Sequence, residues 1–307
     1  MKVAVNWSGG KDCCLACYYA TQKGYEVSKL LNFTFTNYGR YTPVWVLKYL
    51  TMDIGKSTPR KISSLSGLVL RAAGRRFSRK LSKSLKTVPR TSTSTVATSA
   101  NPVQSRRMVP HEVSPDVVAM QAQAMGYPII QKETTWGEFD NEFKATVRQL
   151  DRKDVEGGVV WGMIPPDSVL DHPRKIKKAK GLMTGRGWIS KQLGEMGIKA
   201  LFPLVDKTPE HLLADLMGKG FEVLIVVVNP LFVGEEWLGH RMDQDFIDFM
   251  AKLNREKGVH MMGDEYHTMV LDCPLFKKRI KILKSRKVSK DGYSILEISE
   301  AKLVAKD

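Results

Sequence analysis

Strand-length apolar runs alternate with amphipathic, helix-length segments along most of this 307-residue chain. The first run, KVAVNW at 2–7, precedes a helical segment at 14–24, and a second apolar run, VSKLLNFTF, occupies 27–35. Neighbouring parallel strands need a long crossover connection, which a helix normally supplies. The alternation therefore predicts an α/β fold in which a parallel sheet is covered by helices on both faces.

Helix start signals support this pattern. Ser114 precedes Pro115 and Thr208 precedes Pro209, and an N-cap residue followed by proline begins many helices. The last third of the chain is instead rich in strand patterns and predicts a C-terminal, strand-rich α+β half. The runs are FEVLIVVV at 221–228, HTMVLD at 267–272, FKKRIKILK at 276–284 and YSILEISEAKLV at 293–304.

Changes in composition predict three parts of the chain. An N-terminal nucleotide-binding domain at 1–164 is interrupted by a basic, Ser/Thr-rich insertion at 41–105. A basic loop at 165–187 separates it from a C-terminal substrate-binding domain at 188–307. The chain carries a net charge of +16, and the insertion alone, with 12 Lys/Arg and one acidic residue, accounts for +11. We expect a surface excursion without a catalytic role; a basic arm that contacts RNA weakly is the alternative.

The lengths of the apolar runs and the positions of the cysteines indicate the cellular compartment of the protein. The longest apolar runs, such as VLIVVV at 223–228, are strand-sized and far short of a membrane span. Cys13, Cys14 and Cys17 share one helical segment, so we expect them to face the core rather than to form a disulfide framework or a zinc site. The N-terminus does not resemble a signal peptide. We therefore expect a cytoplasmic protein without membrane contact.

The stretch SGGKD at 8–12 follows the first strand and opens the first helix. A glycine turn in that place gathers backbone N–H groups at the positive end of a helix dipole, which attracts anions. Gly9 and Gly10 let the backbone approach the anion closely, and Lys11 adds a positive charge. Asp12 is suited to capping the helix or to helping hold Mg²⁺. The stretch predicts a phosphate site.

This stretch resembles the pyrophosphate loop of the PP-loop (N-type) ATP pyrophosphatases, which cleave ATP between its α and β phosphates. The resemblance implies ATP and Mg²⁺ as cofactors and a sheet of the HUP/PP-loop ATPase type. It also implies that Lys11 and Asp12 are catalytic and that Asp12 contacts Mg²⁺ through ATP. The pyrophosphate portion of ATP would be bound by Ser8, Gly9, Gly10, Lys11 and Asp12.

Three later stretches narrow the resemblance: QAQAMGYPII at 121–130, a long stretch at 197–246, and GDEYHTMVLDCPLFKKRI at 263–280. Together with the opening loop they are similar to the diphthine–ammonia ligase family. The resemblance implies that ATP adenylates the carboxylate of diphthine, a modified histidine on translation elongation factor 2. Free ammonia would then displace AMP and form diphthamide, so the implied partners are the elongation factor and ammonia.

The same resemblance implies a substrate site in the C-terminal half, with Glu265 as a catalytic residue near the acyl centre. Diphthine carries a trimethylammonium group, which aromatic faces and carboxylates bind well. The stretch TTWGEF at 134–139 reads as a loop that would offer Trp136 for this purpose. The implied substrate-binding residues are Trp136, Glu236, Trp237, Gly239, Asp243, Tyr266, His267 and Thr268.

The chain departs from the family pattern at several positions. The family usually has Gly-Asp or a similar polar pair where this chain has Gly162 and Met163. Met261 and Met262 occupy the first Gly-Glu positions of its Gly-Glu-x-Gly-Glu-Tyr pattern, unless Gly263 and Asp264 replace that pair after a deletion. These differences leave open a PP-loop adenylating enzyme for another substrate, such as a cobalamin-type carboxylate or a tRNA base, or a catalytically degenerate paralogue. A non-enzymatic basic binding module built around 41–105 is a further alternative.

Overall fold

The computed structural model of the protein describes residues 1–35, 114–135, 137–164, 186–263, 265–290 and 292–306. The basic insertion at 41–105, most of the basic loop at 165–187 and Trp136 lie outside these residues, so their predicted roles stay predictions. Among the described residues, no helix is both long and apolar enough to cross a membrane.

Five parallel strands form the first sheet, in the spatial order β3-β2-β1-β4-β5. The central strand β1 pairs with β2 from Lys2 opposite Glu26 and with β4 from Val3 opposite Gly158. The parallel sheet that the alternation predicts is therefore confirmed. Its strands are β1 (Lys2–Asn6), β2 (Glu26–Phe35), β3 (Ile129–Thr134), β4 (Gly158–Val160) and β5 (Ala200–Leu201).

Helices lie on both faces of this sheet, as predicted. They are α1 (Lys11–Gln22), α2 (Pro115–Met125), α3 (Phe139–Arg148) and α4 (Arg186–Gly194). The chain steps one way across the sheet from β1 to β3 and the other way from β3 to β5. Because crossovers between parallel strands are right-handed, α1 and α2 cover one face, and α3 and α4 cover the other. The second face is packed by a cluster that includes Ala4, Phe33, Phe143, Trp161 and Leu193.

The predicted helix starts are found where the sequence places them. Helix α2 begins at Pro115 with Ser114 as its N-cap residue, although the Ser114 side chain makes no capping hydrogen bond. Helix α5 (Pro209–Gly218) has Thr208 as its N-cap residue, and Thr208 Oγ1 accepts a hydrogen bond from His211 N at 3.3 Å. This bond satisfies one of the backbone donors that a helix start leaves without an intrahelical partner.

The second sheet is antiparallel, with the spatial order β7-β6-β9-β8. Helix α6 (Gln244–Lys257) lies between β6 and β7 along the chain. This sheet confirms the predicted strand-rich C-terminal half. The first sheet extends to Leu201, so the chain passes from one sheet to the other between 201 and 222, and the predicted domain boundaries stay predictions. The strands are β6 (Glu222–Val228), β7 (Tyr266–Asp272), β8 (Arg279–Lys290) and β9 (Tyr293–Val304).

All four cysteines are free and buried, which confirms the prediction that Cys13, Cys14 and Cys17 face the core. Burial raises the pKa of the Cys14 and Cys17 thiols well above the ordinary value, because an apolar environment disfavours the thiolate. Within the described part of the chain, no group of three or more His, Cys, Asp or Glu side chains is placed to hold a metal ion.

Gly162 follows strand β4, and its substitution tests how closely the chain there approaches helix α1. A Cβ atom at this position would lie 2.5 Å from Cys13 N and 2.6 Å from the carbonyl carbon of Asp12, which are backbone atoms with little freedom to move. We expect Gly162→Ala to lower the free energy of unfolding in urea by about 1–3 kcal/mol. Gly218→Ala is the matched control, because a Cβ atom there meets nothing within 4 Å. Equal losses in both variants would contradict this account.

Candidate functional site

The candidate site lies where the strand order of the parallel sheet reverses. Strands β1 and β4 are neighbours, but the chain leaves them in opposite directions across the sheet. Ligands of open α/β sheets bind at such switch points, beyond the carboxyl ends of the strands. The predicted phosphate stretch at 8–12 follows β1 and runs into the start of α1, and the segment after β4 contains Trp161 and Gly162.

The loop conformation suits an anion. Gly9 has a φ of +83°, a left-handed conformation that glycine adopts without strain. Gly10 is the N-cap residue of α1, so the first N–H groups of the helix open onto the loop. Ser8 is exposed at the loop surface. The loop therefore presents backbone donors and the positive end of the helix dipole at one place.

Cys13 lies directly under this loop. Ser8 Oγ donates to Cys13 Sγ at 3.5 Å, and Cys13 Sγ donates to Gly10 O at 3.2 Å. Burial acts to raise the pKa of the Cys13 thiol, but hydrogen bonds from Cys14, from Ser8 and from the loop backbone outweigh it and lower that pKa. The thiol thus helps to fix the loop from below.

Lys11 and Asp12 meet residues of the second sheet at the start of α1. Lys11 Nζ lies 3.1 Å from Asp12 Oδ2 and 5.0 Å from the centre of the Tyr266 ring. The Lys11 backbone N–H donates to Thr268 Oγ1 at 3.1 Å. Because Lys11 is only 3% exposed, its charge depends on these partners. The structure thus brings together four residues that the sequence places 250 positions apart.

Side-chain alternation along β7 separates the predicted residues of that strand. Tyr266 and Thr268 lie on the face that meets Lys11. His267 is directed to the opposite face, because successive side chains of a strand alternate. Contacts with Lys11 therefore group Tyr266 with Thr268, and the predicted role of His267 stays a prediction.

Tyr266 is buried at the centre of this region. Its hydroxyl donates to Met261 O at 2.8 Å. Burial, with the charges of Asp12 and Glu265, raises the pKa of Tyr266 to about 12, although the nearby Lys11 acts to lower it. The side chains of Met261 and Met262 are buried as well. At Met261 it is therefore the backbone carbonyl that contacts Tyr266.

The segment that follows β6 places the remaining predicted residues nearer the surface. Trp237 is half-buried, and its ring centre lies 5.1 Å from that of Phe246 and 5.3 Å from that of Phe249. Phe246 in turn lies 4.9 Å from Tyr266, so ring contacts lead from Trp237 to the Lys11 region. Gly239 has a φ of +88°, which indicates a turn role at that position.

Two acidic residues of this segment differ in what they contact. Asp243 is the N-cap residue of α6, and its Oδ1 accepts a hydrogen bond from Phe246 N at 3.0 Å. Glu236 is exposed, and its carboxylate lies over Gly234. Asp243 therefore has a structural task in addition to any predicted contact with substrate.

Gln121 is a residue of this region that sequence reasoning missed. It is fully buried on α2, and its Nε2 donates to Gly9 O at 2.9 Å and to Val270 O at 2.8 Å. The available signal is a polar residue on the buried face of a helix, next in register to the buried Val117 and Val118.

Comparison with known proteins supports the sequence resemblance. The chain matches the Diphthamide synthase N-terminal domain over residues 1–47 and the Diphthamide synthase C-terminal domain over residues 208–304. It is 26% identical over 188 residues to the diphthine–ammonia ligase of Bos taurus, covering 56% of this chain and 64% of that protein. It is 31% identical over 181 residues to that of Rattus norvegicus, covering 54% and 61%.

Shorter and weaker likenesses complete the comparison. The diphthine–ammonia ligase of Schizosaccharomyces pombe is 37% identical over 87 residues, covering 28% of this chain and 14% of that protein. The chain thus covers less than two thirds of the length of each of these relatives. A solved structure described as a predicted subunit of tRNA methyltransferase from Methanocaldococcus jannaschii covers 89% of this chain and 98% of that one, at 11% identity and a TM-score of 0.35, too low to bear on function.

A parallel sheet with a glycine loop at its switch point, joined to an antiparallel sheet, defines an α/β protein of the PP-loop class. Within that class, both family domains match in the expected order along the chain. The chain is therefore similar to the diphthamide synthase family over residues 1–47 and 208–304, and to relatives named diphthine–ammonia ligase.

The raised pKa of Tyr266 predicts a loss of stability at high pH. The unfolded phenol loses its proton near pH 10 and the folded one near pH 12, so the folded chain holds the extra proton between these values. Stability must then fall as pH rises, by about 1.4 kcal/mol per pH unit in this window. Urea unfolding of wild type and Tyr266→Phe across this range measures the effect. The same pH dependence in both proteins would refute it.

Because Asp243 caps α6, we expect replacement of this residue to destabilise the folded chain. We expect Asp243→Ala to lower the free energy of unfolding by about 1 kcal/mol, because the Phe246 N–H loses its acceptor. Asp243→Ser is the matched control, since serine supplies a capping oxygen of its own. Urea unfolding measures both variants. If serine destabilises the chain as much as alanine does, the cap is not what Asp243 contributes.

Proposed function

We propose that this protein is an ATP-dependent amide ligase that converts diphthine on translation elongation factor 2 to diphthamide with ammonia. ATP would be cleaved to AMP and pyrophosphate. The observation that carries the proposal is the phosphate loop at the switch point, with Lys11 held between the loop and strand β7 of the second sheet. The matches to the two diphthamide synthase domains support the same chemistry.

The loop is suited to holding the part of ATP that leaves. Backbone N–H groups of Gly10 and the first turn of α1 lie at the N-terminus of that helix, and Lys11 adds one positive charge. Fixed donors around departing pyrophosphate stabilise the negative charge that develops on it. A carboxylate is a poor acyl donor because oxide would have to leave, and adenylation replaces oxide by AMP. Ammonia then attacks the acyl carbon, and AMP leaves with the bonding electrons.

The donor set fits ATP accompanied by Mg²⁺. Asp12 is 28% exposed on its side chain and lies beside the loop, so it offers a carboxylate oxygen of the kind Mg²⁺ prefers. When bound, the cation would neutralise phosphate charge. Asp12 would hold the cation, while Lys11 and the loop N–H groups would hold the phosphate oxygens.

The second sheet would supply the residues that bind diphthine, whose carboxylate accepts the adenylyl group. Thr268 and Tyr266 approach Lys11 directly, and Glu265 precedes them at the start of β7. The half-buried Trp237 and the exposed Glu236 offer an aromatic face and a carboxylate, which suit a trimethylammonium group. We propose that Glu265 acts near the acyl centre and that Trp237 and Glu236 bind the cationic part of diphthine.

Met261 and Met262 favour a second candidate function, in which the protein adenylates a carboxylate other than that of diphthine. Met261 and Met262 are buried, and Met261 O accepts a hydrogen bond from Tyr266, at positions where the family pattern described above has a Gly-Glu pair. The apolar side chains of these two methionines cannot pair with a cation, so they favour a substrate with less charge at that place. A small-molecule carboxylate that releases AMP without elongation factor would favour this candidate.

An AMP-release assay tests the proposal. Purified protein is mixed with ATP, Mg²⁺, ammonium and diphthine-bearing elongation factor 2. We expect release of AMP and pyrophosphate that requires the factor, and a decrease of about 100-fold or more in Lys11→Ala, which lacks the charge beside the loop. Lys23→Ala is the matched control, because Lys23 is exposed at the other end of α1. It is expected to keep wild-type activity.

Two results would overturn the proposal. One is AMP release that is the same with and without diphthine on the factor. The other is wild-type protein that binds ATP but forms no AMP with any carboxylate supplied, which would indicate a degenerate paralogue.

A further inference from the structure

We propose that Gln121 is a positioning residue that holds the phosphate loop in the conformation that binds the pyrophosphate portion of ATP. This inference rests on the proposed function and adds a residue that lies outside the SGGKD stretch. Gln121 itself is fully buried on α2 and touches neither phosphate nor substrate. It would act through the backbone of Gly9.

The side-chain amide of Gln121 has a single workable orientation. Its Nε2 donates to the carbonyl oxygens of Gly9 and Val270 at 2.9 and 2.8 Å, and its Oε1 accepts from Trp7 Nε1 at 3.0 Å. Exchanging the oxygen and nitrogen would set an acceptor against two carbonyls and a donor against the indole N–H. The amide is therefore locked by three partners, two from the loop after β1 and one from β7.

Gly9 O also accepts a hydrogen bond from Val270 N at 3.0 Å. With the bond from Gln121, both lone pairs of this carbonyl oxygen are used. The direction of the Gly9 carbonyl is thus fixed towards α2 and β7.

Fixing that carbonyl fixes the next N–H group. The peptide bond between Gly9 and Gly10 is trans and planar, so its C=O and N–H point in opposite directions. When the Gly9 oxygen is held inwards by Gln121, the Gly10 N–H is turned to the other side of the loop. A donor set in advance binds an anion without reorganisation, which is the condition for electrostatic stabilisation of a leaving pyrophosphate.

Gly9 also needs this support because of its backbone. Its φ of +83° is open to glycine, and glycine has the widest choice of other conformations in a free loop. Without the amide of Gln121, only the hydrogen bond from Val270 N holds the Gly9 carbonyl, so the peptide plane and the Gly10 N–H are less firmly directed. A Gln121 variant should therefore weaken contacts to the pyrophosphate portion and leave contacts to the nucleoside and α-phosphate unchanged.

The experiment compares ATP and AMP binding in two variants by isothermal titration calorimetry with Mg²⁺. Gln121→Met keeps the length of the side chain but loses both amide donors. We expect its Kd for ATP to rise about tenfold, as two lost hydrogen bonds would give, with the Kd for AMP within about twofold. Gln123→Met is the matched control. It makes the same substitution at an exposed position of α2, so ATP binding should stay within about twofold.

The outcomes separate this inference from the proposed function. If wild-type protein binds neither ATP nor Mg²⁺-pyrophosphate, the proposed function fails and the inference fails with it. If wild type binds ATP and Gln121→Met binds it equally well, the inference alone is overturned. Equal weakening of ATP and AMP in Gln121→Met would also overturn it, because that result indicates a general structural role.

A measurement on wild-type protein decides the question if Gln121→Met does not fold. The two side-chain N–H resonances of Gln121 report directly on the bonds to Gly9 O and Val270 O. We expect them to shift when Mg²⁺-pyrophosphate is added and to stay in place with AMP. Saturation with pyrophosphate without any shift of these resonances would overturn the inference.

Discussion

The carbonyl oxygen of Gly9 is the point on which the two halves of the fold depend. It accepts one hydrogen bond from Val270 of the antiparallel sheet and one from Gln121 of α2, while the neighbouring Lys11 N–H donates to Thr268. The phosphate loop is thus held by segments that lie more than 100 residues away along the chain. A loop built in this way acquires its conformation only when the second sheet is in place. We therefore expect the binding of nucleotide and the binding of the substrate carboxylate to be lost together when the two sheets no longer pack against each other.

Features that depend on local sequence could be predicted. The alternation of KVAVNW, a helical segment and VSKLLNFTF is enough for parallel strands β1 and β2 with α1 between them, because periodicity and crossover geometry are properties of short segments. The same holds for the N-cap at Thr208 and for the loop at 8–12. The length of β5 could not be predicted, since the apolar run IKALFPL at 198–204 contributes only Ala200 and Leu201 to the sheet. Pairing partners, rather than apolar character, set that limit.

Features that depend on distant contacts could be predicted only in part. The family resemblance selects 266–268 together, but the pleat of β7 sends His267 away from its two neighbours, and period-two alternation contains that information. Asp243 precedes a helix and could have been assigned as an N-cap from position alone. Gln121 is different, because its partners Gly9 and Val270 are set by the tertiary fold. A buried glutamine in a helix indicates that partners exist without indicating which they are.

The Lys11–Asp12 pair gives the proposed site a balanced charge before any ligand binds. A lysine that is 3% exposed cannot keep its charge without a counter-charge, and Asp12 provides one at 3.1 Å while the Tyr266 ring faces the ammonium group. Under the proposed function, a phosphate oxygen would take the place of Asp12 beside Lys11. Asp12 would then be released to the cation that accompanies the phosphates. The two charges exchange partners while the region stays close to neutral, so a buried lysine and a partly exposed carboxylate next to each other suit a site that must bind a polyanion together with its metal ion.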